Sequence, residues 1–142
     1  MAPRFRIFRQ LARGRSKMIL GLGIDFLETR RVERELARGE WLPDDGIFTA
    51  EETRYCNSVR CPARRYTICF AAKEATLKAL GVRAPDLAMF REVEVEFGAG
   101  DVCGVRLHNR LKIHSERLGV RRIRIATTGH FPQAGAIVIL ED

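Results

Sequence analysis

The chain has 142 residues, 46% of them hydrophobic, with 25 Lys and Arg against 18 Asp and Glu. That size fits one soluble domain with a single core and excludes both a multidomain enzyme and a disordered chain. A formal charge of +7 would suit nucleic acid or a membrane surface, so where the charge lies decides what it means.

Six of the basic residues (Arg4, Arg6, Arg9, Arg13, Arg15 and Lys17) fall in the first 17 positions, a stretch without acid, and the other 125 residues carry a net +1. Phe5, Phe8, Leu11 and Ala12 stand at helical spacing among these arginines, a pattern shared by transit peptides and basic arms. Because Met18 directly precedes a strand pattern, residues 1–17 are read as a basic extension, or as a start set too early, ahead of a domain over 18–142. No second basic patch with interleaved aromatics follows, so neither nucleic acid nor membrane is expected as a partner.

From Met18 the run MILGLGID reads as a short buried strand ending at Asp25. Glu28 to Arg38 predicts a two-faced helix: Thr29, Val32 and Leu36 share one sector, and Arg30, Arg31, Arg34 and Arg38 form a stripe opposite. Gly39 to Gly46 reads as a loop with Trp41 as a packing anchor. Thr49-Ala-Glu-Glu52 is a capping box opening a short helix through about Asn57. Arg64 to Leu80 is the strongest helix, with Tyr66, Cys69, Phe70, Leu77 and Leu80 on one face and Gly81 at its stop.

Beyond it the period changes to two. Glu92 to Phe97 and Asp101 to Leu107 predict a hairpin around Gly98-Ala-Gly100, with Cys103, Val105 and Leu107 on one side. Asn109 is read as the cap of a helix carrying Leu111, His114 and Leu118 and ending at Gly119. Arg122–Thr127 and Ala134–Leu140 complete the strands, so the class is α+β. Cys56, Cys61, Cys69 and Cys103 lack C-x-x-C and zinc-ribbon spacing. With no signal peptide pattern and no apolar run near the roughly 20 residues of a membrane span, a reducing cytoplasm is expected.

Lys73 is the first anomaly. It lies on the apolar side of its helix with Glu74 beside it, and burying either charge unpaired is costly. On this helix alone an internal ion pair or a snorkelling lysine is favoured over chemistry, and a second acid from elsewhere would change that balance. Asp25, at a strand end, is by itself more often a turn or cap residue. Gly21-Leu22-Gly23 precedes Asp25 inside the strand and has no third glycine at the spacing of a dinucleotide loop, so a Rossmann reading is discarded.

In order along the chain, GLGID at 21–25, FTAEE at 48–52, FAAKEATLKALG at 70–81 and GVRRIRIATTGH at 119–130 resemble holo-acyl-carrier-protein synthases, the small bacterial class of 4′-phosphopantetheinyl transferases. The resemblance runs from Met18 to about Asp142, and its most specific part is the G-I-D strand end combined with F-A-A-K-E-A-x-x-K-A-x-G. It implies an antiparallel sheet packed with helices. The implied reaction is Mg²⁺-dependent transfer of the 4′-phosphopantetheine arm of coenzyme A to a serine hydroxyl of a carrier protein of fatty acid or polyketide type, releasing adenosine 3′,5′-bisphosphate.

On that resemblance Asp25 and Glu74 match the metal ligands, and Lys73 matches a motif lysine that would meet charge on the leaving phosphate. The base for the serine is left between Glu74 and a metal-bound water. Lys73, Gly81, Arg83, Thr127 and His130 would contact coenzyme A. Arg31, with Arg30, Arg34 and Arg38 by helical spacing, would dock an acidic carrier protein. A cytoplasmic homotrimer is implied, with His130 and the Gly81 loop facing a neighbour's Asp25 and Glu74.

Three positions depart from the family's pattern. Cys69 stands where arginine is usual, removing a charge expected near the nucleotide. Gly81-Val82-Arg83 replaces Gly-Thr-Gly, a bulkier loop with Arg83 as a compensating cation. Thr127-Thr128-Gly129-His130 replaces Ser-x-x-His and keeps the histidine, while His108 and His114 read as ordinary helix residues. The departures predict an active transferase with altered coenzyme A affinity or a specialised carrier. The competing readings are a non-catalytic relative that only binds carrier protein, and a nucleic-acid or membrane binder driven by the arm.

Overall fold

The computed structural model describes residues 17–40, 46–99 and 101–142. The arm up to Ser16, the loop position Trp41 and the turn residue Gly100 lie outside them. In chain order the elements are β1 (Ile19–Glu28), α1 (Thr29–Ala37), α2 (Ala50–Ser58), α3 (Pro62–Ala79), α4 (Leu87–Glu92), β2 (Val93–Phe97), β3 (Val102–Leu107), α5 (Asn109–Arg117), β4 (Arg122–Thr128) and β5 (Gln133–Glu141). The α+β class holds. One antiparallel sheet has the order β1-β5-β4, and β2 and β3 form a separate hairpin.

The central helix α3 lies across one face of the three-stranded sheet. Gly21 and Gly23 explain how closely it sits: a Cβ at Gly23 would stand 1.9 Å from the Ala75 carbonyl oxygen, and one at Gly21 would stand 2.1 Å from that of Ala79. Ala71, Ala72, Ala75 and Ala79 are all buried, so small residues on both sides bring strand and helix backbones together. The G-x-G of β1 is therefore a packing device, as its place inside a strand suggests.

Four local expectations are corrected. The first strand runs on to Glu28 and is buried on one face only. Leu22 is 53% exposed and Phe26 60% exposed, because α3 covers the Gly21, Gly23 and Asp25 side of this edge strand and the protomer leaves the other side open. The short helix α4 was not expected; Asp86 caps it by accepting the Met89 N–H at 2.9 Å. Register slips between Glu96 and Phe97, so that Phe97 faces Val102 and Glu96 faces Gly104. Cys103 is then the extra, exposed residue, and Val102 packs against the core in its place. Asn109 is no cap: His108 holds that position without a side-chain bond to the helix end, and Asn109 begins α5 at φ 44°. The carboxylate of Glu92 does the capping instead, accepting the Leu111 N–H at 3.0 Å.

The capping box at Thr49 and Glu52 is present with both reciprocal bonds. Among the described residues no helix is long and apolar enough to cross a membrane.

Candidate active site

A cavity of about 440 Å³ opens between β1, α1 and α3, lined by Asp25, Phe26, Leu27, Arg31, Glu35, Ile47, Phe70 and Glu74. Three independent features of the sequence meet there: the acid of the G-I-D strand, the acid of the K-E-A motif and an arginine of the α1 stripe. The antiparallel packing of α3 on β1 explains the meeting. Gly23 touches Ala75, so one step along the strand brings Asp25 beside the adjoining turn of α3.

Burial raises the Glu74 carboxyl above its usual range, the negative charge of Asp25 raises it further, and Lys78 pulls it back. Two carboxylates that resist sharing a negative site are a hard-oxygen pair suited to a divalent cation. In the protein alone Lys78 supplies the balancing charge: its ammonium donates to Asp25 Oδ1 at 2.7 Å and to the Ile24 carbonyl at 3.3 Å, with 48% of its side chain exposed. No role was expected of Lys78. Its signal is its spacing, four residues after Glu74 and so on the same helix face.

Lys73 is placed elsewhere, and the expectation that it meets a phosphate directly is corrected. It is fully buried. Its three N–H donors go to Glu52 Oε2 at 2.8 Å, the Phe90 carbonyl at 2.8 Å and the Val93 carbonyl, which exhausts an ammonium. Glu52 is satisfied as well, accepting the Thr49 and Val95 N–H groups at 2.7 Å each. The pair ties α2, α3, α4 and β2 together. The internal ion pair favoured from the helix alone is thus what forms, with Glu52 of the FTAEE segment as the partner.

Cys69 shares this interior. Burial pushes its thiol well up, reinforced by its contact with Cys56, so this thiol is a packing group.

Thr127, His130, Gly81 and Arg83 do not line the cavity. Asp25, Ala136 and Thr127 occupy one row across the sheet, which puts Thr127 two strands, or about 10 Å, from Asp25. The Thr127 hydroxyl donates to Asp101 Oδ1 at 3.3 Å. His130 is exposed in the β4–β5 turn, and Gly81 (φ 73°) and Arg83 are exposed beyond α3.

The arginine stripe is present but unequal. Arg31 donates to Glu35 Oε1 at 2.8 Å, Arg38 lies 3.7 Å from Glu40 Oε1, and the Arg30 guanidinium sits 5.0 Å from the centre of the Phe131 ring. The Arg34 side chain makes no ion pair or ring contact among the described residues and faces solvent.

A family-wide profile described as the 4′-phosphopantetheinyl transferase superfamily matches residues 21–128. The chain is 43% identical over 127 residues to a holo-[acyl-carrier-protein] synthase of Anaeromyxobacter sp. (strain Fw109-5), covering 87% of this chain and 96% of that one. It is 38% identical over 128 residues to the same enzyme of Anaeromyxobacter sp. (strain K), covering 87% and 97%. Among solved structures, holo-[acyl-carrier-protein] synthase of Neisseria meningitidis superposes with a TM-score of 0.76 at 26% identity, covering 88% of this chain and 100% of the other.

Proposed function

The chain belongs to the 4′-phosphopantetheinyl transferase superfamily, and from that premise we propose that it is a holo-acyl-carrier-protein synthase acting in the cytoplasm. It transfers the 4′-phosphopantetheine arm of coenzyme A to a serine hydroxyl of an acyl carrier protein. The serine oxygen bonds to the phosphorus that carries the pantetheine arm, the bond from that phosphorus to the bridging oxygen breaks, and adenosine 3′,5′-bisphosphate leaves.

The observation that carries the reading is the shared cavity of Asp25, Glu74 and Arg31. A carrier protein held by α1 delivers its serine to the mouth of the space that the two carboxylates line. Mg²⁺ fits this donor set, because it commonly takes one or two carboxylates and completes its shell with substrate oxygens and water; Asp25 and Glu74 would hold it. When bound, it neutralises the pyrophosphate and stabilises charge on the departing oxygen. Lys78, half exposed and already reaching Asp25, adds a second positive charge on the same side. Glu74, which lines the same cavity, is the side chain of this chain placed to accept the serine proton. Lys73 acts at a distance, by holding α3 through Glu52.

Carrier docking rests on Arg34 and Arg31, with Arg30 and Arg38 at the rim, and complementarity to an acidic helical domain chiefly raises the encounter rate. Support for a homotrimer comes from the open sheet face, where Leu22, Ile24 and Phe26 are exposed on one strand, the kind of apolar surface that another copy can cover. The separation of Thr127 and His130 from the carboxylate cavity agrees with a nucleotide site completed by a second copy.

The test is to incubate the protein with coenzyme A, Mg²⁺ and acyl carrier proteins and to weigh the carriers by mass spectrometry. A phosphopantetheine mass gain is expected. Carrier binding without any gain rejects the transferase in favour of a non-catalytic binder. Full activity in a dilute monomer rejects the trimer.

A further inference from the structure

Of the stripe arginines, Arg31 is the one that lines the carboxylate cavity, and Glu35 lines it as well. The Arg31 Nε donates to Glu35 Oε1 at 2.8 Å, with 66% of the Arg31 side chain exposed against 16% of the Glu35 side chain. The second oxygen, Glu35 Oε2, is buried and accepts no hydrogen bond. Arg31 is therefore the one side-chain partner of the Glu35 carboxylate among the described residues. A carboxylate this shielded is left underbonded, at a cost, when that partner turns away.

Helix stability does not account for the pair. Arg31 precedes Glu35 by four residues, which is the less favourable order, because it sets the acid toward the negative end of the helix dipole. Glu33 stands on the same helix, exposed and without an ion pair among the described residues. Two acids of equal charge thus sit two positions apart on α1, and Glu35 is the one bound to a docking arginine.

We propose that Glu35 is an internal competitor for Arg31, which a carrier protein must displace with an acid of its own, and that Glu35 thereby sets how acidic a carrier must be to dock. This rests on the docking reading above. Arg34, whose side chain faces solvent, takes the first contact, and Arg31 then exchanges Glu35 for a carboxylate of the partner. A weakly acidic partner does not offset the bond lost at Glu35 and is turned away at the mouth of the cavity.

Calorimetric titration of an apo acyl carrier protein into the wild type, Glu35→Gln, Glu33→Gln, Arg31→Ala and the Arg31→Ala/Glu35→Gln double variant at low salt tests this, with steady-state transfer followed in parallel. Glu35→Gln is expected to tighten carrier binding by about three- to fivefold, the scale of an exposed ion pair, and to lower KM by the same factor with kcat unchanged. Glu33→Gln removes the same charge without touching Arg31 and should gain less than about 1.5-fold, as should Glu35→Gln once Arg31 is alanine. Carrier variants whose exposed acids are neutralised one at a time should gain the most from Glu35→Gln. Weaker binding in Glu35→Gln, which would make Glu35 a support for Arg31, or an equal gain from Glu33→Gln, which would reduce the effect to net charge, overturns the proposal. If Arg31→Ala binds the carrier as the wild type does, the docking reading falls and takes this inference with it. If Arg31→Ala weakens binding and Glu35→Gln does not strengthen it, the docking reading stands and this inference alone falls.

Discussion

Lys73 and Lys78 are five residues apart on one helix, each paired with a carboxylate at under 3 Å, yet they belong to different parts of the molecule. Lys73 faces the interior between α2, α4 and β2, where Glu52 and two carbonyls take all of its protons. Lys78 faces the edge where β1 ends its contact with α3, shares Asp25 with solvent and can exchange that partner for another. Charge in a sealed pocket fixes geometry, because losing either partner strands the other without water. Charge at an open edge is available for chemistry, because its alternatives are a cation, a phosphate or bulk solvent. The carboxylate cavity lies on the open side, with the sealed side behind it as its support.

The sharpest way to break this contrast is to remove the buried charge. Lys73→Met should cost about 3–5 kcal/mol of stability, since Glu52 is left unpaired in the core, and urea denaturation reads it. A Lys73→Met protein as stable as the wild type but inactive would return Lys73 to the reaction. Lys78→Ala should do the reverse, slowing turnover by about 10²–10³-fold while changing stability by about 1 kcal/mol or less, as for other exposed pairs. A change in melting larger than the change in rate would dissolve the distinction. Next in size, Phe26→Asp on the open sheet face should abolish self-association in light scattering while leaving the protomer's far-ultraviolet spectrum intact. An unchanged mass would mean that the exposed face is not what joins the copies. The smallest effect expected is at α1: Arg34→Ala should raise KM for the carrier by about two- to fivefold with kcat unchanged, and the difference should shrink as salt is added. The same effect at 0.5 M salt would argue against an electrostatic role.

Much of the site was legible before any coordinates. Asp25, Glu74 and the α1 stripe stand in motifs whose order and spacing carry the resemblance, and helical phase alone assigns Arg31 and Arg34 to one stripe. Glu52 was visible as half of a capping box and as the end of the FTAEE segment but not as a counter-ion, because a capping residue and a core counter-ion look alike in one dimension. Lys78 stood inside the quoted motif without a role, although its place one turn after Glu74 marked it.

The sequence by itself determined the α+β class, the amphipathic first helix, the position of α3 and the pair of acids, because these rest on local periodicity and on contacts within a few residues. Only the tertiary structure decided which lysine is sealed and which face of β1 stays open. Periodicity says which side chains share a face. What covers that face comes from elements far away in the chain, and burial, more than residue type, separates a structural charge from a reactive one.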